Sequence, residues 1–307
     1  MMNPDTLPFP EVLDSSMIAT WRSCRHKFFL EYLHHWKSKT PSVHLHAGGA
    51  YARGLEVARK AFYQEGKSEE DSHALGLAAL MAAYGDFECP ADSAKSLERT
   101  AGALEYYFEQ YPLPTDPAAP HILPSGARAI EFSFAEPLSI THPVTGNPLI
   151  YCGRFDEVVD FAGAIYGLDD KTTSQLGASW PRQWELRSQF TAYCWGAKRT
   201  GINLAGFLVR GVSILKTKYD TLQAITYRHP WMIDEWLEGV YCDIQDMIAD
   251  WQGATKVPFR KDLSESCNAY GGCPFRQVCM SADPASWLEA NFERRKWDPI
   301  SREETKL

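Results

Sequence analysis

The segment that most constrains this chain is Leu149 to Thr173, LIYCGRFDEVVDFAGAIYGLDDKTT. Two runs rich in β-branched and aromatic residues flank Ala162-Gly163, a pattern that predicts an antiparallel hairpin with a two-residue loop. Setting Phe161 opposite Ala164 carries the register back to Asp156 opposite Asp169 and Arg154 opposite Lys171. Strand side chains alternate, so these four share one face and Asp170 takes the other. Two carboxylates opposed on a buried sheet repel each other, and a cation between them relieves that repulsion. A divalent ion such as Mg²⁺ suits the position, because Mg²⁺ takes one or two carboxylates and leaves room for water and phosphate oxygens. Lys171 beside it can orient or deprotonate a water and counter charge on a phosphate, which completes the parts for phosphodiester hydrolysis. The competing reading is a surface hairpin with Asp–Arg and Asp–Lys pairs, each worth little. Glu131, in the strand-like RAIEFSF, is a further candidate metal ligand.

Around this hairpin the chain reads as one continuous architecture of 307 residues. Residues 1–111 are mainly helical: Asp14, Ser15 and Ser16 cap a helix running to about Trp36, and Ala50–Tyr63, Ser72–Tyr84 and Leu97–Tyr111 follow. The proline-rich stretch from Pro112 to Pro124 reads as a linker. A mixed α/β core over 125–229 is expected to hold strands at Ala129–Phe134, Leu149–Phe161, Ile165–Thr172, Gly206–Leu215 and Leu222–Tyr227, with a helix from Trp184 to Arg199 ended by Gly201. Residues 230–307 supply an amphipathic helix, Pro230–Trp251, then a cysteine-bearing segment and a charged tail. The expected class is mixed α/β, a sheet core flanked by helices.

Composition excludes several classes. With 45% hydrophobic and 23% charged residues the chain supports a packed core. Its formal charge of −8 excludes a broad basic coat for nucleic acid but leaves room for a local basic groove. The sequence shows no signal-peptide pattern and no run of apolar residues able to span a bilayer, so a soluble, cytoplasmic protein is expected. Arg22, Arg25, His26 and Lys27, with Arg182, Arg187, Lys198, Arg199, Lys216 and Lys218, are candidates for a positive track, or else are scattered surface charge.

Three motifs stand in order: G-R-F-D at Gly153–Asp156, D-x-K at Asp169–Lys171 and Q-x-x-x-Y at Gln189–Tyr193. In this the chain resembles the RecB-like branch of the PD-(D/E)XK nuclease superfamily. The resemblance implies a restriction-endonuclease-like core, Mg²⁺ or Mn²⁺ on Asp156 and Asp169, assistance from Lys171 to the attacking water, and Gln189 and Tyr193 beside DNA. Independently, Gln189 and Tyr193 are four apart on a helix and share a face. The chain departs from the family pattern G-x-x-x-H-x-x-L-E at one position: Gly48, Leu55 and Glu56 fit, while Ala52 stands in place of the metal-binding His. Glu56, one turn on, is the candidate substitute ligand; a retained water or a plain surface glutamate are the alternatives.

Cys24, Cys267, Cys273 and Cys279 can form one thiolate site, since Gly271, Gly272 and Pro274 allow the chain to turn around a small centre. Among the relatives, the CRISPR-associated RecB-like exonucleases and AddB-type nuclease domains split their cysteines in the same way around the core. That implies a 4Fe-4S cluster, with Zn²⁺ as the alternative and a C-x5-C-x5-C spacing that departs from the usual one. Such a site would clasp the first helix to the C-terminal segment. Cys89, Cys152, Cys194 and Cys242 read as buried small hydrophobes.

The function implied is a metal-dependent DNA nuclease, an exonuclease acting on DNA with a free end, with a helicase or recombination partner and a role in DNA repair or recombination. Two alternatives stand beside it. One is a nucleic-acid-binding subunit that keeps the fold but has lost efficient chemistry; the other, an iron-sulfur redox or sensor protein, leaves the opposed carboxylates unexplained.

Overall fold

A computed structural model describes residues 7–40, 42–269 and 272–306. The turn residue Gly271 lies outside them. In chain order the elements are β1 (Val12–Asp14), α1 (Ser15–Ser23), α2 (Arg25–Phe28), β2 (Trp36–Ser38), α3 (Val43–Tyr63), α4 (Glu69–Tyr84), α5 (Leu97–Gln110) and β3 (Ala119–Pro120). Then come β4 (Ser133–Thr141), β5 (Pro148–Arg154), β6 (Glu157–Phe161), β7 (Ala164–Thr173), α6 (Ser188–Arg199), β8 (Gly206–Ile214) and β9 (Tyr219–Tyr227). The C-terminal elements are α7 (Pro230–Trp251), α8 (Arg276–Met280), α9 (Pro284–Asn291), β10 (Phe292–Asp298) and β11 (Glu303–Lys306). The chain divides into two compact units, one formed by residues up to 40, 134–153 and 231 onward, the other by 41–133 and 154–230.

The first unit joins the two ends of the chain. β1 runs parallel to β5, which also pairs with β4, and β10 lies between β11 and β2. Asp14 caps α1 by accepting from the Met17 N–H at 2.8 Å, while its other oxygen accepts from Trp297 Nε1 at 2.8 Å. The helix expected to run to Trp36 is instead broken at Cys24, whose extended backbone (φ −167°, ψ 116°) separates α1 from α2. Leu30, Phe275, Val278, Leu288 and Phe292 form a small core that ties the N-terminal turn to the cysteine-bearing segment.

The second unit is a mixed five-stranded sheet in the order β3-β6-β7-β8-β9. β6 and β7 are antiparallel, β7 and β8 parallel, β8 and β9 antiparallel. α6 makes the crossover between the parallel pair, as such a connection requires. Alternation then sorts the side chains. Val212 and Ile214 of β8 join the α3–α4–α5 core on one face. Phe207 on the other face stacks on Phe190 of α6, with ring centroids 4.4 Å apart.

The predicted hairpin turn is present: Ala162 and Gly163 both have positive φ (49° and 81°), the conformation of a two-residue type I′ loop. Phe161 pairs with Ala164, and the register holds as far as Glu157 opposite Leu168. There the ladder stops. The expected single strand Leu149–Phe161 is two strands, because β5 belongs to the sheet of the first unit and β6 to that of the second. Arg154 therefore does not sit across from Lys171. The expected strand Ala129–Phe134 is likewise absent: Ile130 makes an isolated bridge to Glu157, and Glu131 has a left-handed φ of 55°. The proline-rich linker holds the short pairing of Ala119–Pro120 against β6 and an isolated bridge from Ile122 to Arg128.

Candidate active site

β7 brings the central groups together. Asp169 and Lys171 project from the α6 face of the sheet, and Lys171 Nζ lies 2.5 Å from Asp169 Oδ2. Asp156 follows the end of β5 and is half-buried. Its Oδ2 accepts the main-chain N–H of Asp170 at 3.0 Å, which holds the carboxylate against β7 at the point where ladder pairing has ceased.

The electrostatics agree with this proximity. Burial pushes the Asp169 carboxyl up to about 6; Lys171 pulls it down and the charge on Asp156 raises it. Burial opposes the ammonium form of Lys171, but Asp169 and Asp156 together outweigh it and raise its pKa. Two acids and one cation thus act on one another here. The donors are hard carboxylate oxygens with a single ammonium beside them, so the chemistry of the set fits a divalent ion such as Mg²⁺ or Mn²⁺. Among the described residues no three His, Cys, Asp or Glu side chains are gathered as a metal site, either here or at the cysteines.

Gln189 and Tyr193 share a face of α6, as their spacing predicts, and Gln189 Nε2 donates to the Tyr193 hydroxyl at 3.1 Å. Tyr193 packs on Phe155, immediately before Asp156, with centroids 4.7 Å apart, and its hydroxyl contributes to the field at Lys171. The helix pair therefore borders the acidic centre. It begins at Ser188 rather than Trp184, which lies in a short 3₁₀ turn.

The remaining candidate ligands are engaged elsewhere. Glu56 bonds Lys60 at 2.6 Å and Arg53 at 2.7 Å on its own helix, and although burial works against it, these cations lower its pKa. Ala52 is exposed. Glu131 lies beside Asp156 through the main chain, its N–H donating to the Asp156 carbonyl at 2.9 Å, while its carboxylate meets Arg154 at 2.7 Å.

Asp170 turns to the opposite face, as alternation demands. There it meets a residue that carries no local sequence signal. Arg59 of α3 places Nη1 2.7 Å from Asp170 Oδ2 and Nε 3.1 Å from Glu157 Oε2. Nothing short of the fold could have pointed to Arg59, which reads as an ordinary helix residue.

In the first unit, Cys24, Cys267, Cys273 and Cys279 are all partly exposed. Burial raises the pKa of Cys273 and Cys279, and their neighbouring thiols, including Cys24 and Cys267, add to the rise, so the four lie within one another's field. Of the other cysteines, Cys152 and Cys194 are buried as expected, Cys89 is half-buried and Cys242 is exposed, on the outward side of α7. The basic residues near Cys24 are neutralised: Arg22 pairs with Asp243 at 2.6 Å and Arg25 with Asp246 at 2.5 Å.

A mixed sheet whose central strand carries D-D-K near its end, with a second aspartate and a Q-x-x-x-Y helix beside it, is the arrangement the structure presents. The sequence matches the PD-(D/E)XK nuclease superfamily over residues 15–280, and the chain belongs to that superfamily. Among solved structures it is similar to a protein from Eubacterium rectale named "Putative exonuclease", with a TM-score of 0.51 and 15% identity over 89% of this chain and 93% of that one. A second, SSO0001, aligns over 75% of this chain and 84% of its own at 12% identity, but its TM-score of 0.27 is too low to bear on the fold. No curated protein matches the chain. Among the described residues no helix is long and apolar enough to cross a membrane.

Proposed function

We propose that this nuclease hydrolyses DNA from a free end, with Mg²⁺ or Mn²⁺ held by Asp156 and Asp169. The observation that carries the reading is the buried, high-pKa Asp169 with Lys171 at 2.5 Å and Asp156 in its field. When bound, the ion supplies a Lewis acid and lowers the pKa of a coordinated water. The protein does the rest. Because its pKa is raised, Lys171 is an ammonium at neutral pH; its part is to orient the water and to counter charge developing on the phosphate. Gln189 offers an amide to a phosphate oxygen, and Tyr193 fixes that amide by accepting its hydrogen bond. The name of the Eubacterium rectale protein supports exonucleolytic action.

A second, separate centre is part of this reading, a 4Fe-4S cluster with zinc as the alternative, that clasps the chain ends within the first unit; the mutual electrostatic influence of Cys24, Cys267, Cys273 and Cys279 supports it, although among the described residues no three such side chains are already gathered as a metal site. Supporting a helicase or recombination partner, there is the family resemblance alone.

Degradation of end-labelled DNA and RNA in Mg²⁺ or Mn²⁺ tests the reading. The expected result is metal-dependent loss of nucleotides from DNA ends, abolished by Asp169→Ala. DNA binding without product in either metal would overturn it in favour of a binding subunit that has lost its chemistry.

A further inference from the structure

The two segments that carry the site carboxylates are not joined by sheet hydrogen bonds where it matters. The β6–β7 ladder ends at Glu157 opposite Leu168, one residue short of Asp156 and Asp169. Beyond it only the Asp170 N–H reaches Asp156 Oδ2. On the opposite face of the same strands, Arg59 spans this gap. Its guanidinium meets Glu157, the residue after Asp156, at 3.1 Å, and Asp170, the residue between Asp169 and Lys171, at 2.7 Å. Its remaining nitrogen donates to the Tyr107 hydroxyl at 2.7 Å. Arg59 is 4% exposed and Glu157 2% exposed, so this fork sits in a packed interior where few other arrangements are open.

We propose that Arg59 is the positioning residue of the metal site: its planar fork replaces the missing ladder and fixes the distance between Asp156 and Asp169. The geometry follows from connectivity. Clamping the Asp170 side chain from one face fixes the direction of the Asp170 N–H, which is the donor to Asp156. Clamping Glu157 fixes the start of β6 and so the backbone that presents Asp156. An ion that takes only two carboxylates from the protein depends strongly on their separation, and groups that orient metal ligands typically change affinity or activity about 10- to 100-fold when altered. A lysine at this position keeps the charge but has no fork with which to hold both strands at once. The inference rests on the reading of Asp156 and Asp169 as metal ligands.

The test is Arg59→Lys, with Asp170→Asn as the second variant, each measured by calorimetric titration with Mn²⁺ alone and by DNA cleavage across a Mg²⁺ series, with thermal midpoints recorded. Both variants are expected to bind Mn²⁺ about tenfold more weakly. They are also expected to need correspondingly more Mg²⁺ for half-maximal cleavage, with KM for DNA unchanged and full folding at the assay temperature. If Arg59→Lys does not fold, Asp170→Asn decides alone. Mn²⁺ affinity within twofold of the parent in a folded variant overturns the proposal. Failure of the underlying reading looks different: there the parent itself fails to bind Mn²⁺ more tightly than Asp169→Ala does.

Discussion

Lys171 Nζ stands 2.5 Å from Asp169 Oδ2, and burial pushes the Asp169 carboxyl up to about 6 from the usual 3.8. A carboxylate that is 4% exposed is costly to charge, and the lysine offsets only part of that cost. In the metal-free protein Asp169 therefore keeps a proton that the unfolded chain has lost. The folded pKa is the raised one, so between about pH 4 and 6 the native state binds more protons, and stability falls as pH rises through that window.

Asp169→Asn is expected to remove this slope. In urea titrations with chelator present, the stability of the variant relative to the parent is expected to be greater at pH 8 than at pH 4 by about 3 kcal/mol. Adding Mn²⁺ at pH 8 is expected to raise the thermal midpoint of the parent but not of the variant, because only the parent has the acid pair to bind it. A parent midpoint indifferent to Mn²⁺ would count against the metal site.

Glu157 shows a similar physics on the other face. Burial pushes its carboxyl up to about 8, while Arg59 works in the opposite direction. One guanidinium serves two acids here; Asp170 takes the shorter contact and Glu157 keeps a proton, consistent with its unpartnered Oε1. Since the folded pKa lies above the unfolded value of 4.5, stability declines as pH rises from about 4.5 to 8. Glu157→Gln is expected to abolish that decline and to leave the protein at least as stable as the parent at pH 9. An equilibrium unfolding series from pH 5 to 9 reads this directly.

Much of this site was legible in the sequence because it rests on short-range rules. Ala162-Gly163 sets the hairpin, the hairpin sets the register, and period-two alternation separates Asp169 and Lys171 from Asp170. The i, i+4 spacing of Gln189 and Tyr193 gave their shared face. What escaped depends on long-range pairing. No proline or glycine marks the break between Arg154 and Glu157; it exists because β5 finds β1 and β4 as partners. The left-handed Glu131 and the inward Arg59 are equally tertiary outcomes, and neither residue type advertises them.

The thiol quartet predicts a stability effect separate from catalysis. Cys24 interrupts the N-terminal helix and Cys273 lies beside the small core of Leu30, Phe275 and Phe292. If the four thiolates hold iron and sulfide, anaerobically purified protein is brown, and Cys24→Ser loses both the colour and several degrees of thermal midpoint. A colourless protein with one equivalent of zinc supports the alternative ion; a variant with unchanged metal content and midpoint refutes the clasp.

The last prediction concerns packing that holds α6 over the site. Gly167 lies two residues before Asp169, and a Cβ placed there would meet the Phe207 ring at 2.4 Å. That ring cannot give way freely, because it stacks on Phe190 at 4.4 Å and on Phe155 at 5.9 Å, and it borders Tyr193 at 6.0 Å. Gly167→Ala therefore pushes Phe207 toward the helix that carries Gln189 and Tyr193, an overpacking that costs about 1–3 kcal/mol. The expected outcome is a lower urea midpoint together with a raised KM for DNA. Phe207→Leu in the same chain makes room for the methyl group and is expected to return part of both. If Gly167→Ala leaves stability and KM untouched, the stack does not position the helix, and the placement of Gln189 must be set from elsewhere in α6.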